Sequence, residues 1–282
     1  MNRRLRWNLR PALALVPAAA WLTLFFLTPL LIIAVISLMR PGAPVEWSLD
    51  GGAYARLVEP LYLKIVLRSI ALAGVSTLVC LLVGYPLAYY MARRPPATRR
   101  MLYFLVLIPL WANSLVLIYA WMVLLRPGGV FDALAHALGW AGDAPVSLLY
   151  TPAAVVIGLV YWYLPFMIYP LYTSIEKFDF NLLDAAYDLG ADRLQVFRRV
   201  LLPLTVPGIV TGCLLVFIES LGAFVVPDLL GGAKTLMLGN LIQQRFLAIP
   251  QDWPMGAAAA IALLLAMGLG LAALLRPGAA RR

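Results

Sequence analysis

Charge is scarce in this sequence, and that scarcity excludes most soluble folds. Only 12% of the 282 residues are Asp, Glu, Lys or Arg, whereas a soluble domain carries about 25%. There are two cysteines and one histidine, so the chain lacks both a disulfide framework and the ligand spacing of a metal site. No arrangement of side chains typical of covalent catalysis occurs either. We therefore expect no metal, no catalytic residues and no enzyme activity in this chain.

Apolar residues, in contrast, make up 63% of the chain and fall into long runs. About 20 apolar residues in a helix cross the ~30 Å hydrocarbon layer of a membrane. The first run exceeds the ~7–15 apolar residues of a signal peptide, so it is predicted to be a retained span. We predict an all-α integral membrane protein with six transmembrane helices, at about Ala12–Leu38, Ser69–Met91, Met101–Leu125, Leu149–Ile175, Val206–Val226 and Met255–Leu275.

Lysine and arginine set the predicted orientation, because the cytoplasmic loops of membrane proteins are enriched in both. About two thirds of the 22 Lys and Arg residues lie on the side that holds both termini. That side is predicted to be cytoplasmic, with an N-terminus over 1–11, a loop over 176–205 and a tail over 276–282. Residues 12–275 form a single transmembrane domain. The net charge of +9 then reflects topology and contact with the lipid bilayer, and no nucleic acid is expected as a partner.

The long cytoplasmic loop carries strong local signals for a helix that ends sharply. Asp179 or Asn181 can cap a helix that begins near Leu182. Gly190 can end that helix in the left-handed conformation. A loop with this much built-in structure is rarely a simple connector.

A second helix is predicted directly after this corner. Asp192 can cap it, and it is expected to cover Arg193–Leu201 and to stop before Pro203. Phe197 gives this second helix an apolar anchor. The two predicted helices, joined at a glycine corner, form a predicted coupling loop over 176–205.

The first helix of the pair has features suited to contact with a partner. Ala185 and Ala186 are small and would let another surface come close. Asp184 and Asp188 lie one turn apart on the same face, where they can meet basic groups. These residues fit either docking on another subunit or an amphipathic segment resting on lipid headgroups, and the physical argument alone leaves both open.

The spacing of this loop resembles the cytoplasmic signature of binding-protein-dependent ABC import permeases, E-A-A-x3-G-x9-I-x-L-P. The chain has Asp in place of Glu and Val in place of Ile, and reads Asp184-Ala185-Ala186-x3-Gly190-x9-Val200-Leu201-Leu202-Pro203. The resemblance implies a type I ABC importer permease (MetI-like) fold. It also implies docking into a nucleotide-binding subunit through Asp184, Ala185, Ala186, Asp188, Gly190, Phe197 and Pro203.

A wider resemblance, over roughly residues 60–270, is to the spermidine/putrescine permease family and its B-type subunit. It is carried by Ile108–Ser114, Gly158–Pro170, Tyr172–Lys177, Asp228–Lys234 and Asp252–Ala257. This resemblance implies half of a polyamine pathway in a bacterial inner membrane. The implied partners are a second homologous permease subunit, two copies of an ABC ATPase subunit and a periplasmic polyamine-binding protein. ATP and Mg²⁺ would bind to the ATPase, so no cofactor is expected in this chain.

One carboxylate lies within the predicted spans, and it suggests a pathway. An intramembrane charge usually marks a pathway or a partner, and Glu219 is the sole residue charged at neutral pH in the six predicted spans. Polyamine recognition needs carboxylates and aromatic faces, so the pathway candidates are Glu219, Asp228, Trp111, Asn113, Tyr161 and Tyr163. Structural alternatives stay open, because a carboxylate can be ion-paired, an aromatic ring can anchor the interface, and an amide can bond between helices.

Three rival interpretations remain. An ABC permease for another solute, such as ferric iron, sulfate or another organic amine, would carry the same signature. A channel or secondary transporter would work without ATP, although such proteins usually show inverted repeats and several buried charges. An interaction-only scaffold would need neither the intramembrane carboxylate nor the built loop.

Overall fold

A computed structural model of the chain describes residues 16–40, 46–139, 145 and 147–275. The predicted N-terminus 1–11 and tail 276–282 lie outside these residues. Within the described part the fold is almost entirely helical. Among the described residues, six segments are long and apolar enough to cross a membrane, which confirms the predicted number: Val16–Ile36, Pro60–Ala92, Ser114–Ala137, Pro152–Glu176, Arg193–Gly222 and Trp253–Ala272.

The elements follow one another along the chain with short connections. The first part comprises α1 (Val16–Ile36), an antiparallel pair of β1 (Met39–Arg40) and β2 (Glu46–Leu49), α2 (Gly52–Leu57), α3 (Pro60–Ala92) and α4 (Pro96–Trp111). The second part comprises α5 (Ser114–Leu125), α6 (Val130–Ala137), α7 (Pro152–Glu176), α8 (Asn181–Asp188), α9 (Arg193–Gly222), α10 (Val225–Gly231), a 3₁₀ turn (Gly232–Lys234), α11 (Leu238–Leu247) and α12 (Trp253–Leu275).

The third predicted span, 101–125, is divided between two helices. Ala112 is extended, with φ −82° and ψ 154°, and ends α4. The side chain of Asn113 then accepts a hydrogen bond from the backbone N–H of Leu115 at 2.9 Å, which caps the first turn of α5. A hydropathy pattern does not register this break, because the apolar run continues through it.

The second helix of the predicted coupling loop does not stop before Pro203, which corrects the prediction. It continues into the membrane as α9. A π turn at Phe197–Leu201 lies just before the proline, and the N–H of Leu202 bonds to the carbonyl of Phe197 within it. A proline ring crowds the carbonyl four residues earlier in a regular helix. The wider turn, in which carbonyls bond five residues ahead, accommodates the ring.

Internal contacts divide the chain into two compact units. Among the described residues, the first unit comprises those up to Leu63 and those from Leu241 onward, and the second comprises those from Lys64 to Asn240.

In the first unit, polar side chains tie α2 and the first turn of α3 to α11 and the segment before α12. The guanidinium of Arg56 lies 3.1 Å from the carboxylate of Asp252, and the Asp252 carboxylate also accepts the N–H of Met255 at 3.3 Å. Arg245 donates a hydrogen bond to the hydroxyl of Tyr62 at 2.7 Å. These bonds fix the segment that leads into α12.

The centre of the second unit is the packing of α7 against α9. Two glycines of α9 allow the close approach. A Cβ at Gly208 would lie 2.5 Å from the Cβ of Ser174, and a Cβ at Gly212 would lie 2.7 Å from the Sδ of Met167. Both distances are well below the ~3.5–4.0 Å of favourable contact between carbon atoms. The two helices therefore form a closely packed pair, and the corner at Gly190 lies in the chain between them.

Candidate functional site

The corner between α8 and α9 is closed by a hydrogen-bonded helix end. Gly190 has φ +83°, a conformation that strongly favours glycine. Its N–H bonds to the carbonyl of Tyr187 at 2.9 Å, and the N–H of Ala191 bonds to the carbonyl of Ala186 at 3.1 Å. This pair of bonds is the Schellman motif, and it places the sharp turn at the glycine that the sequence indicated.

Side chains also bond backbone N–H groups at the start of both helices of the corner, although only the second helix has a side-chain N-cap. The carboxylate of Asp192 accepts the N–H of Gln195 at 2.8 Å, and the Gln195 side chain accepts the N–H of Asp192 at 3.3 Å, which forms a capping box. Before α8, the carboxylate of Asp179 accepts the N–H of Asn181 at 3.1 Å. The corner is therefore specified by local chemistry at three places: its two helix starts and its glycine.

The inner face of the corner is anchored to the protein. Phe178, Leu183, Val196 and Leu201 are buried in one small apolar cluster. Because these residues come from both sides of Gly190, the cluster holds α8 and the first turns of α9 together. The opposite face of the corner is left free for another surface.

That free face presents most of the residues predicted to dock. Asp184, Ala185, Asp188 and Pro203 are exposed, whereas Ala186 is half-buried. Phe197 has 37% of its surface exposed, so only part of its ring is available to a partner.

Apolar side chains beside these residues extend the free face. Leu189 is 89% exposed, and Tyr187 and Leu194 are also largely uncovered. Sequence reasoning did not identify Tyr187 and Leu194 as site residues. The available signal was the occurrence of large apolar residues in an otherwise charged loop. An apolar patch with a polar rim is typical of a surface that a partner covers.

Glu219 lies on a side of α9 that the described residues of the chain leave open. Its side chain is exposed, and the carboxylate has no hydrogen-bond or ion-pair partner within the described part of the chain. The buried Tyr163 of α7 donates its hydroxyl hydrogen to the backbone carbonyl of Glu219 at 3.0 Å. Two predicted pathway residues thus meet, although through the backbone of Glu219. A bare carboxylate in hydrocarbon is costly, so this side of α9 suits a polar path or another subunit.

Glu219 continues a row of exposed residues along α9. Leu204, Thr211, Leu215 and Glu219 are all exposed, and their spacing of seven, four and four residues puts them on one side of the helix. Sequence reasoning did not identify this row. The helical spacing of its residues, with Glu219 as the last of them, was the available signal.

The Leu204 end of this row borders a cavity of about 680 Å³ between α7 and α9. Sequence reasoning missed this cavity, because it forms only where the two helices pack. Its walls include residues of α7, of α9 and of the loop after α7: Tyr169, Thr173, Lys177, Asp179, Leu204 and Thr211.

Two other pathway candidates are exposed but separate from this pair. Asp228 lies in the first turn of α10, beyond the extended residue Ala223 that ends α9. Trp111 is the last residue of α4 and is 77% exposed. Within the described ranges, neither residue is joined to Glu219 by a hydrogen bond or an ion pair.

The two remaining candidates have structural roles in the chain. The Asn113 side chain caps α5. Tyr161 packs edge-on against Trp121, with ring centroids 5.4 Å apart. Their positions therefore give less support to a role in the path than the position of Glu219 does.

A six-span helical protein with an exposed docking corner and a membrane-embedded carboxylate has the organisation of a transport permease. The chain belongs to the family of binding-protein-dependent transport system inner membrane components, which matches residues 84–276. It is thus a multi-pass inner-membrane permease subunit of an ABC importer and is not itself an enzyme.

Relatives support both the family and the fold. Over 263 residues the chain is 48% identical to the spermidine/putrescine transport system permease protein PotB of Salmonella typhimurium (strain SL1344), covering 91% of this chain and 90% of that protein. The resemblance to the spermidine/putrescine permease family is confirmed.

Two solved structures share the fold. A chain of a bacterial alginate ABC transporter, in complex with an alginate pentasaccharide-bound periplasmic protein, matches with a TM-score of 0.76 and 18% identity, covering 97% of this chain and 96% of that one. A chain of the inward-facing MetNI methionine ABC transporter matches with a TM-score of 0.55 and 20% identity, covering 76% and 94%. At these identities the likeness concerns the fold, and it confirms the predicted MetI-like permease architecture.

Proposed function

We propose that this permease carries spermidine or putrescine across the inner membrane, as half of a path completed by a second, homologous permease subunit. The observation that carries the proposal is the exposed carboxylate of Glu219, which lies on the row of α9 that leads to the α7–α9 cavity. The 48% identity to PotB, a spermidine/putrescine transport permease, supports polyamines as the substrate class.

The chemistry of the path suits a flexible polycation. The Glu219 carboxylate can attract one ammonium group, and the exposed ring of Tyr169 in the cavity can face another through a cation–π contact. Lys177 and Asp179 at the cytoplasmic end have opposite charges, so neither sign dominates there. The volume of about 680 Å³ falls within the ~300–1,000 Å³ of ordinary ligand pockets.

The free face of the corner is proposed to be the docking surface for an ABC ATPase subunit. Asp184 and Asp188 are exposed and can meet basic groups, while Leu189 and Phe197 offer apolar contact. In this assembly two ATPase copies bind ATP and Mg²⁺, and a periplasmic binding protein delivers the polyamine from outside. The proposal places both termini on the cytoplasmic side with the corner, and reporter fusions at the two ends test that orientation.

The proposed function is tested by uptake in vesicles that contain the complete complex. We expect uptake of radiolabelled spermidine or putrescine that needs ATP and is blocked by vanadate. Sulfate, molybdate and ferric iron, each supplied with the same binding protein, serve as comparison solutes.

Two outcomes would contradict the proposal. Polyamine uptake that persists without ATP would indicate a channel or a secondary transporter. ATP-dependent uptake of an anion or of iron, with no uptake of polyamines, would keep the ABC permease class and reject the substrate.

A further inference from the structure

The end of α3 touches the docking corner through two tyrosines: Tyr89 packs edge-on against Phe180, with ring centroids 6.3 Å apart, and Tyr85 reaches α9. The hydroxyl oxygen of Tyr85 lies 3.0 Å from Oγ1 of Thr205 in α9. The ring of Tyr85 meets the ring of Phe197 edge-on, with centroids 5.8 Å apart. Tyr85 therefore contacts α9 at the first residue of the π turn and again after the turn.

The direction of the Tyr85–Thr205 hydrogen bond follows from the other partners of Thr205. Its Oγ1 lies 2.9 Å from the carbonyl oxygen of Leu201 and 3.1 Å from that of Leu202. Carbonyl oxygens only accept, so the single hydroxyl hydrogen of Thr205 is used there. Tyr85 is consequently the donor to Thr205. Thr205 is fully buried, which makes this chain of bonds expensive to leave incomplete.

The surroundings of this contact leave room for movement. A cavity of about 340 Å³ lies between the end of α3 and the corner, and Tyr85, Tyr187 and Phe197 are among its walls. The π turn Phe197–Leu201 begins at one of these walls. Single π turns within α-helices often occur at functional sites. The Tyr85 contact thus joins α3 to α9 at the edge of a gap, beside an irregular turn.

We propose that Tyr85 is a positioning residue for energy coupling: it transmits movement of the docked corner to α3 through Thr205 and Phe197. This inference rests on the proposed docking of the corner onto an ATPase. It assigns the transmission from α9 to α3 to one hydroxyl group and one ring edge of Tyr85, beside the separate contact of Tyr89 with Phe180.

The test uses the complete complex in proteoliposomes and measures ATP hydrolysed per spermidine taken up. Tyr85→Phe removes the donor hydroxyl and keeps the ring, and Thr205→Val removes its acceptor. Tyr90→Phe is the matched control, because Tyr90 is exposed on the same helix and lies under the Arg94 guanidinium at 4.1 Å, a contact of the ring that Phe retains.

We expect Tyr85→Phe and Thr205→Val each to raise ATP use per transported spermidine about five-fold, roughly the factor that one net hydrogen bond represents. The double variant should be no worse than either single variant, since all three lack the same bond. Binding of the ATPase to the permease, measured by co-purification, should be unchanged. Tyr90→Phe should match the wild-type ratio.

Two results would overturn the proposal. The first is a wild-type ratio of ATP hydrolysed to spermidine taken up in Tyr85→Phe. The second is a fall in uptake and ATP hydrolysis in proportion to a loss of assembled complex, which would indicate a purely structural role. An incorrect substrate proposal can be distinguished from an incorrect role of Tyr85, because the wild-type complex would then take up no spermidine. In that case the stimulation of ATP hydrolysis by the binding protein is compared between Tyr85→Phe and the wild type.

Discussion

Tyr163 and Glu219 are joined by a hydrogen bond of 3.0 Å from the tyrosine hydroxyl to the backbone carbonyl of the glutamate. The helix α9 ends at Gly222, so the carbonyl of Glu219 is among the last four of the helix and lacks a regular partner. Tyr163 supplies that partner from α7. The position of the intramembrane carboxylate along α9 is thus tied to the neighbouring helix.

Replacing Tyr163 by phenylalanine tests this link. The change leaves a carbonyl without its donor at a cost of about 1–3 kcal/mol, so we expect earlier thermal unfolding of the purified complex and slower spermidine uptake. Tyr119→Phe is the control, because Tyr119 is exposed and its hydroxyl has no hydrogen bond in the described structure. Equal unfolding temperatures for the two variants would show that the bond contributes nothing.

Neutralising Glu219 tests its role in the path. Glu219→Gln keeps the size of the side chain and removes the charge that would attract an ammonium group. We expect the KM for spermidine in ATP-driven uptake to rise at least several-fold, while the amount of ATPase that co-purifies stays the same. Each tenfold change corresponds to about 1.4 kcal/mol of lost interaction.

Glu59→Gln is the matched control for that experiment. Glu59 is also exposed and has no ion pair within the described ranges, but it lies in the loop before α3. If both variants take up spermidine with wild-type kinetics, the Glu219 carboxylate is not part of the path.

The parts of this structure that were predictable depend on local sequence. Apolar runs gave six spans because length and hydropathy alone decide whether a helix can cross a membrane. The corner was predictable because Gly190 and Asp192 act through bonds to residues at most four positions away. Pro203 was misread as a stop, since the π turn that accommodates it has no simple sequence signal.

The α7–α9 cavity was not predictable for a different reason. Residues of α7 such as Tyr169 meet residues of α9 such as Thr211 only because Gly208 and Gly212 let the helices approach. Helical periodicity can place Thr211 and Glu219 on one face of α9. It does not say which helix packs beside that face.

A change at Gly190 should disturb docking without preventing membrane insertion. Gly190→Ala forces a side chain into φ +83°, at a cost of about 1–2 kcal/mol. We expect the corner to open, less ATPase to co-purify with the permease and ATP-driven uptake to fall. The amount of permease in the membrane fraction should stay near the wild-type level.

Gly128→Ala controls for backbone strain in general. Gly128 has φ +73°, and a Cβ there would meet no atom within 4 Å, as at Gly190. The Gly128 N–H that bonds to Asp132 is kept. Co-purification of the ATPase should therefore be normal in Gly128→Ala. A similar loss in both variants would show that strain, and not the corner, is responsible.

The packing of α7 on α9 predicts how alanine at Gly208 changes the thermal stability of the protein. A Cβ at Gly208 would lie 2.5 Å from the Cβ of Ser174 and 2.8 Å from the carbonyl oxygen of Pro170, so Gly208→Ala must push the helices apart. Overpacking of this kind typically costs about 1–3 kcal/mol. At Gly74 in α3 a Cβ would meet nothing within 4 Å, and alanine there gains up to about 1 kcal/mol of helix propensity. Thermal unfolding in detergent should thus shift in opposite directions for the two alanine variants. Equal stability of Gly208→Ala and the wild type would mean that α7 and α9 are farther apart than this structure shows.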